Sequence, residues 1–252
     1  MKKDRWSKFS HWAVLLGFVA VFLVLASVLG VPNVRSENPN AGPNVVPSDM
    51  VVYGRTYSEW SAAWEQWADS IPTANHPLFD NGDCSVGQSG PVWFLGGKFC
   101  ANNATNCGTN NVVRNCKVPH GKALYVAVFN SEDSTLEDPG RPQIADLRAF
   151  AAGNMEGTAN LTMTVDGEQI PHLKDRFRVQ SPAFVFTIPD DNFFTAVGEG
   201  PFTAGSYFPG VDDGVYVMLE PLPLGHHTIH FHGEMPAFSF VLDITYHIYV
   251  YQ

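Results

Sequence analysis

The segment GHHTIHFHGEM, residues 225–235, carries four of the chain's nine histidines within seven residues. Side chains alternate across a strand. On a strand, His226, Thr228, His230 and His232 therefore share one face, while His227, Ile229 and Phe231 share the other. The imidazoles of an H-x-H pair point the same way about 7 Å apart at Cβ, close enough for both to reach one metal ion. The next segment, FSFVLDITYHIYVY (238–251), alternates as cleanly. Leu242, Ile244, Tyr246 and Ile248 lie on its apolar side, with Asp243, Thr245 and His247 opposite. If the two segments form a hairpin through GEMPA, their apolar faces must coincide, so paired residue numbers sum to an odd value. A sum near 473 sets His230 opposite Asp243 and His226 opposite His247. The candidate metal ligands are thus His226, His230, His232 and His247, with Asp243 as a further ligand or as the carboxylate that orients an imidazole. Imidazole-rich ligation in an oxidising compartment selects Zn²⁺ or Cu²⁺ over Mg²⁺. The competing reading is the ordinary polar side of an outer antiparallel sheet.

The compartment follows from the N-terminus and the cysteines. Lys2, Lys3, Arg5 and Lys8 precede an uninterrupted apolar run from Ala13 to Val31, about 19 residues long. A basic stretch before such a run is an export signal, and at this length it serves either as a cleaved peptide or as a retained anchor. The remainder is expected to be secreted, periplasmic or at the cell surface, with membrane attachment, if any, through residues 13–31. Cys84, Cys100, Cys107 and Cys116 crowd into 33 residues. In an exported chain they are expected to form two disulfides. Three connectivities exist, and the favoured one nests Cys100–Cys107 inside Cys84–Cys116.

Residues 1–30 contain those four basic residues and one acid, Asp4. The rest holds eleven basic against 24 acidic residues, a net charge of −13. Nucleic acid and anionic lipid surfaces are disfavoured as partners, because both need positive charge. Cations remain compatible. The acidic stretches DNGD (80–83), SEDSTLED (131–138), PDDN (189–192) and VDDG (211–214) offer oxygen ligands, although none has EF-hand spacing and each reads as a solvated turn.

The elements that must position these residues are mostly strands. With 18 Pro, 22 Gly and only 16% charged residues, the composition favours turn-rich β structure. Residues 1–30 read as signal or anchor, 31–50 as a Pro/Asn-rich linker, and 51–252 as one domain. The best helix begins at Thr56, where Thr56 and Glu59 form a capping-box pattern, and ends before Pro72. Its Trp60, Trp64, Trp67 and Ile71 recur on one stripe, which packs on a sheet or stacks a flat ligand such as a sugar. Strands are expected over 90–97, 121–130, 178–189, 214–222, 226–233 and 238–251. A shorter helix is expected over 143–153, and a hairpin over 160–171 turns at Asp166-Gly167. The fold class is mainly β, an antiparallel β-sandwich or jelly-roll-like arrangement with one or two flanking helices.

Motifs for nucleophilic hydrolysis, nucleotide binding and blue copper are absent, and HFHG lacks the companion motifs of multicopper oxidases. YGRTYSEW, GPVWFLGG and C-x-V-P-x-G-K-A-L (116–124) together resemble a family of exported bacterial proteins. The resemblance covers most of residues 53–251. It implies export and a single domain, and it brings no catalytic residue with it. The leading functional reading is a non-catalytic, extracytoplasmic binding or surface-associated module for a small-molecule, glycan or protein partner. The alternatives are a Zn- or Cu-binding protein or enzyme at the histidines, and a carbohydrate-binding or glycan-active protein using the aromatic stripe.

Overall fold

The capping-box pattern becomes α1, Tyr57–Asp69, in a computed structural model that describes residues 44–102 and 111–252. The Thr56 hydroxyl accepts from the Glu59 amide at 3.2 Å, and the Glu59 carboxylate accepts from the Thr56 amide at 2.8 Å. The apolar run 13–31, the linker up to residue 43, Asn103 and Cys107 lie outside the described residues. Among the described residues no helix is long and apolar enough to cross a membrane.

Two five-stranded sheets face each other. The first contains β1 (Val92–Leu95), β3 (Ala123–Ser134), β8 (Gly205–Leu219) and β6 (Arg178–Gln180) in that order, with β7 (Phe184–Ile188) also paired to β8. The second runs β2 (Val112–Pro119), β10 (Phe240–Tyr251), β9 (Gly225–Met235), β4 (Ala159–Val165) and β5 (Glu168–Gln169). One apolar cluster spans both sheets, including Val126 and Val217 from the first and Phe231, Ile244 and Ile248 from the second. The fold is therefore mainly β and sandwich-like, as its composition suggests, but the sheets are not purely antiparallel. β1 runs parallel to β3, and β2 runs parallel to β10. The chain leaves the first sheet after β1, passes through the second as β2 and returns as β3, so β1 and β3 re-enter side by side in the same direction.

β4 and β5 form the expected hairpin. Asp166 and Gly167 both have positive φ, 52° and 84°, the mirror-image turn that Asp-Gly favours. Other boundaries move. The expected strand over 178–189 is broken into β6 and β7 by Ser181-Pro182-Ala183, where proline withholds a ladder donor. β8 starts nine residues before the expected 214 and carries the VDDG stretch inside it. The helix expected to stop at Gly153 continues as α2, Ile144–Glu156, and ends at Gly157. Two short helices, α3 (Leu173–Phe177) and α4 (Phe193–Val197), complete the set. Residues 44–50, read as linker, lie against β8: the Val46 amide donates to the Met218 carbonyl at 2.9 Å, and Val45 bridges Leu219.

α1 packs on the first sheet. The Trp64 indole meets Tyr216 of β8 edge-on at 6.2 Å, and its N–H donates to the Leu95 carbonyl at 2.9 Å. A Cβ on Gly96 would come within 2.4 Å of the same indole, so the second-last glycine of GPVWFLGG is needed for contact rather than for flexibility. Trp60 and Trp67 are also buried, with N–H donors on the Val52 and Val86 carbonyls. The stripe is core, and its indoles offer no open platform for a sugar. Cys84 and Cys116 form a disulfide that ties the segment before β1 to β2. Cys100 is disulfide-bonded as well.

Replacing Trp64, 1% exposed, by alanine is expected to lower the unfolding free energy by about 3–5 kcal/mol. Urea unfolding monitored by circular dichroism measures this, and a loss below about 1 kcal/mol would contradict a core role.

Candidate functional site

The histidine hairpin forms with the required parity but a register two residues away from the expected one. β9 and β10 pair with sums of 475, so Asp243 faces His232, Thr245 faces His230, His247 faces Thr228, and Tyr249 faces His226. The three-residue 3₁₀ turn at Pro236–Phe238 lengthens the connection and sets this register. His230 still reaches Asp243 diagonally: its Nε2–H donates to Oδ1 at 3.0 Å. His232 Nε2–H donates to Glu234 Oε1 at 3.1 Å, and its Nδ1 lies 3.6 Å from Asp243 Oδ2. His226 instead packs against the Tyr249 ring, tilted by 30° at a centroid distance of 4.8 Å, and His247 contacts the Thr228 hydroxyl at 3.5 Å. His230, His232 and Asp243 are thus neighbours, whereas His226 and His247 stand apart from them. Among the described residues no group of three or more His, Cys, Asp or Glu side chains is arranged to hold a metal ion.

A second cluster was not anticipated as a site. α1 is buried almost around its whole circumference, so Glu65 and Asp69, one turn apart, go inside with the tryptophans. They meet β3 and β8 at the stretches read as solvated turns. In the β3–β8 ladder Glu132 lies directly opposite Asp212, and Asp133 opposite Val211. Like charges in directly opposed positions repel, so this pairing needs compensation. Glu137, just beyond β3, hydrogen-bonds Glu132 on one side and Glu199 on the other. Glu199 is exposed, Glu132 and Glu137 are half-buried, and Glu65, Asp69 and Asp212 are buried. The carboxyls form a line running from solvent into the space under α1.

No Lys or Arg among the described residues makes an ion pair with Glu65, Asp69, Glu132, Glu137 or Asp212. The nearby guanidiniums serve other acids: Arg141 holds Asp133 and Asp138, and Arg178 holds Asp213 and Glu156. Neutralisation must come from protons or from a ligand, since an unpaired buried carboxylate costs several kcal/mol. At one end the proton is visible in the bonding pattern. The Tyr216 hydroxyl contacts Glu65 Oε1 at 3.2 Å and Asp212 Oδ2 at 2.9 Å. A phenol has one proton to donate, so one of these carboxyls carries its own and donates back. Burial pushes Glu65 up to about 8, with the Asp69 charge adding to it. Burial likewise raises Asp69, Glu132, Glu137 and Asp212.

Asp69 differs from the rest. It is fully buried and neither of its carboxyl oxygens has a hydrogen-bond partner; Glu132 Oε1 and Asp212 Oδ1 are also unpartnered. The signal in the sequence was the helix itself. Small residues Ser61, Ala62, Ala63 and Ala68 surround the tryptophan stripe, leaving no wide polar face on which Glu65 and Asp69 could be solvated. The other two acidic stretches do behave as turns: Asp80 pairs with Arg114 at 2.7 Å, and Asp191 accepts from the Ala74 amide at 2.8 Å. His76, buried at the end of α1, is structural. Its Nδ1 accepts from the Leu78 amide and its Nε2–H donates to the Ala68 carbonyl, closing the end of α1. Burial lowers its pKa to about 4, so it stays neutral.

The carboxyl line fixes the direction of pH dependence. Folded Glu65 holds its proton up to about pH 8, whereas the unfolded residue releases it near 4.5. Between those values the folded chain binds more protons, so stability falls as pH rises. In chelator-containing buffer the melting temperature is expected to drop from pH 5 to pH 8. Glu65→Gln should flatten that slope by up to about 1.4 kcal/mol per pH unit. A wild-type melting temperature that rises over this interval would contradict the assignment.

No family model and no curated protein matches the chain. Several solved chains show slight likeness, two of them as follows. One is a cysteine protease inhibitor from Entamoeba histolytica, 12% identical, covering 63% of this chain and 97% of its own, with a TM-score of 0.21. The other is PbICP-C in complex with falcipain-2, 14% identical, covering 64% of this chain and 98% of its own, with a TM-score of 0.25. Likeness at this level carries no argument about the role of this chain.

Proposed function

We propose that the chain is an exported, non-catalytic binding module that meets a protein partner through the outer face of its second sheet. The observation that carries this reading is an asymmetry between the two sheets. The outer face of the first sheet is covered by α1, which buries Tyr125 and Tyr216 beneath it. The outer face of the second alternates exposed with buried along β2 and β10, and its exposed set includes Val113, His247, Tyr249 and Tyr251.

The composition of that face suits recognition. Tyrosine supplies large, rigid contact area at low entropic cost, and neighbouring Thr and His supply adaptable hydrogen bonds. Tyr249, 42% exposed, is held by its ring contact with His226, so ordering it on binding costs less. The backbone beneath is pinned by ladders on both sides, with β10 between β2 and β9. Export is supported by the basic, then apolar, N-terminus and is compatible with the Cys84–Cys116 disulfide, which persists in oxidising compartments.

The test immobilises the full chain and its Tyr249→Ala/Tyr251→Ala variant and exposes both to extracytoplasmic protein from the host. The expected result is a protein retained by the wild type and at least tenfold less by the variant, with unchanged circular dichroism. Equal retention by the two, or no protein retained by the wild type, would overturn the proposal.

A further inference from the structure

We infer that Asp69, with the cross-strand pair Glu132 and Asp212, forms a seat for a hydrated hard divalent cation, reached from solvent along Glu137 and Glu199. This site lies on the first sheet, away from the open face described above, and stands or falls separately from it.

The acidic cluster alone would not assign a ligand. The bonding of its individual oxygens does. Protons can satisfy the outer and inner ends of the line, because Glu199, Glu137 and Glu132 bond one another and Glu65 and Asp212 share Tyr216. They cannot satisfy Asp69. A protonated Asp69 would hold a hydroxyl donor with no acceptor within hydrogen-bond distance, since both of its oxygens lack partners at full burial. The remaining orphan oxygens, Glu132 Oε1 and Asp212 Oδ1, belong to the directly opposed cross-strand pair, whose charges interact with that of Asp69. Four unpartnered acceptor oxygens define a place for something that presents positive charge and hydrogen-bond donors together. A hydrated cation presents both, the metal to a carboxylate and its waters to the rest.

The donor set selects the ion. Every candidate ligand here is a carboxylate oxygen, which suits Ca²⁺ or Mg²⁺ and not the imidazole- and thiolate-seeking metals. No ready-made cage of three or more side chains exists among the described residues. The ion is therefore one that keeps several waters and takes one or two carboxylates directly, as Mg²⁺ commonly does and Ca²⁺ can. The approach is open at its outer end, where Glu199 is exposed and Glu137 half-buried. These acids draw a cation inward, and no Lys or Arg among the described residues forms an ion pair with Asp69, Glu132, Glu137 or Asp212 to compete with it.

The experiment uses the full chain stripped with EDTA and dialysed into buffer of constant ionic strength. Equilibrium dialysis with CaCl₂ and, separately, MgCl₂ measures bound ion, and thermal unfolding is followed in parallel with KCl as the charge-matched control. The expected result is one divalent ion per chain and a melting temperature raised by CaCl₂ or MgCl₂ but not by KCl. Preference between the two salts identifies the ion. Asp69→Asn should keep the fold and weaken divalent binding at least tenfold, and Glu132→Gln should do the same if the first variant fails to fold. Absence of bound divalent ion and of any divalent-specific rise would overturn the inference, leaving protons as the only compensators. Binding undiminished in a folded Asp69→Asn or Glu132→Gln chain would overturn it too, placing the ion elsewhere.

Discussion

The packing of α1 against the first sheet sets the terms for the rest of the molecule. Nearly all of that helix is buried, so every residue type on it must find an interior solution. The tryptophans do so by giving each indole N–H a backbone carbonyl. Glu65 and Asp69 cannot be solvated without lifting the helix. They are instead met by Glu132 and Asp212, which the β3–β8 register places opposite one another. The result is a set of carboxyls concentrated where the dielectric is low and where, among the described residues, no basic side chain pairs with them. Natural cores pair such groups with Arg or Lys, as this chain does one residue away, where Asp213 takes a fork of two nitrogens from Arg178. That Asp212 is left without such a partner while Asp213 has one separates a structural ion pair from a cluster held for other reasons.

The two sheets divide the work. The first is enclosed, buried on one side by the sandwich core and on the other by α1. Among the described residues the second is enclosed on one side only, and Arg114 stiffens it from within. The Arg114 guanidinium donates to the Gly96 and Gly97 carbonyls and to the Tyr246 hydroxyl, joining β2 and β10 to the loop after β1. With the Cys84–Cys116 disulfide beside it, the cysteine-rich region becomes a brace for the exposed sheet. An enclosed, charged sheet is suited to holding an ion or protons.

Local signals in the sequence carried far where chemistry and geometry coincide. Thr56 and Glu59 specify the start of α1, Asp166-Gly167 specifies a turn, and alternation fixes which side of β9 and β10 is apolar. The histidine register was beyond reach because parity restricts pairing only to odd sums. The choice between 473 and 475 depends on the 3₁₀ turn at Pro236–Phe238, which no hydrophobic pattern reports. The parallel pairings β1–β3 and β2–β10 were invisible for a similar reason: they join strands by way of the opposite sheet. The acidic cluster was missed by reading stretches one at a time. SEDSTLED and VDDG look like turns because single strands rich in Asp and Glu are unfavourable. Only their pairing beneath a buried helix makes them an interior site.

The central claim is that buried Glu65, Asp69 and Asp212 and half-buried Glu132 lie together without a basic partner among the described residues. Carboxyl ¹³C NMR of the metal-free chain across pH 3–9 tests it group by group. The expected result is that Glu65 changes protonation near pH 8 and that Asp69, Glu132 and Asp212 also titrate well above the usual carboxylate range. Midpoints near about 4 for all four, the values of solvated carboxylates, would contradict the account.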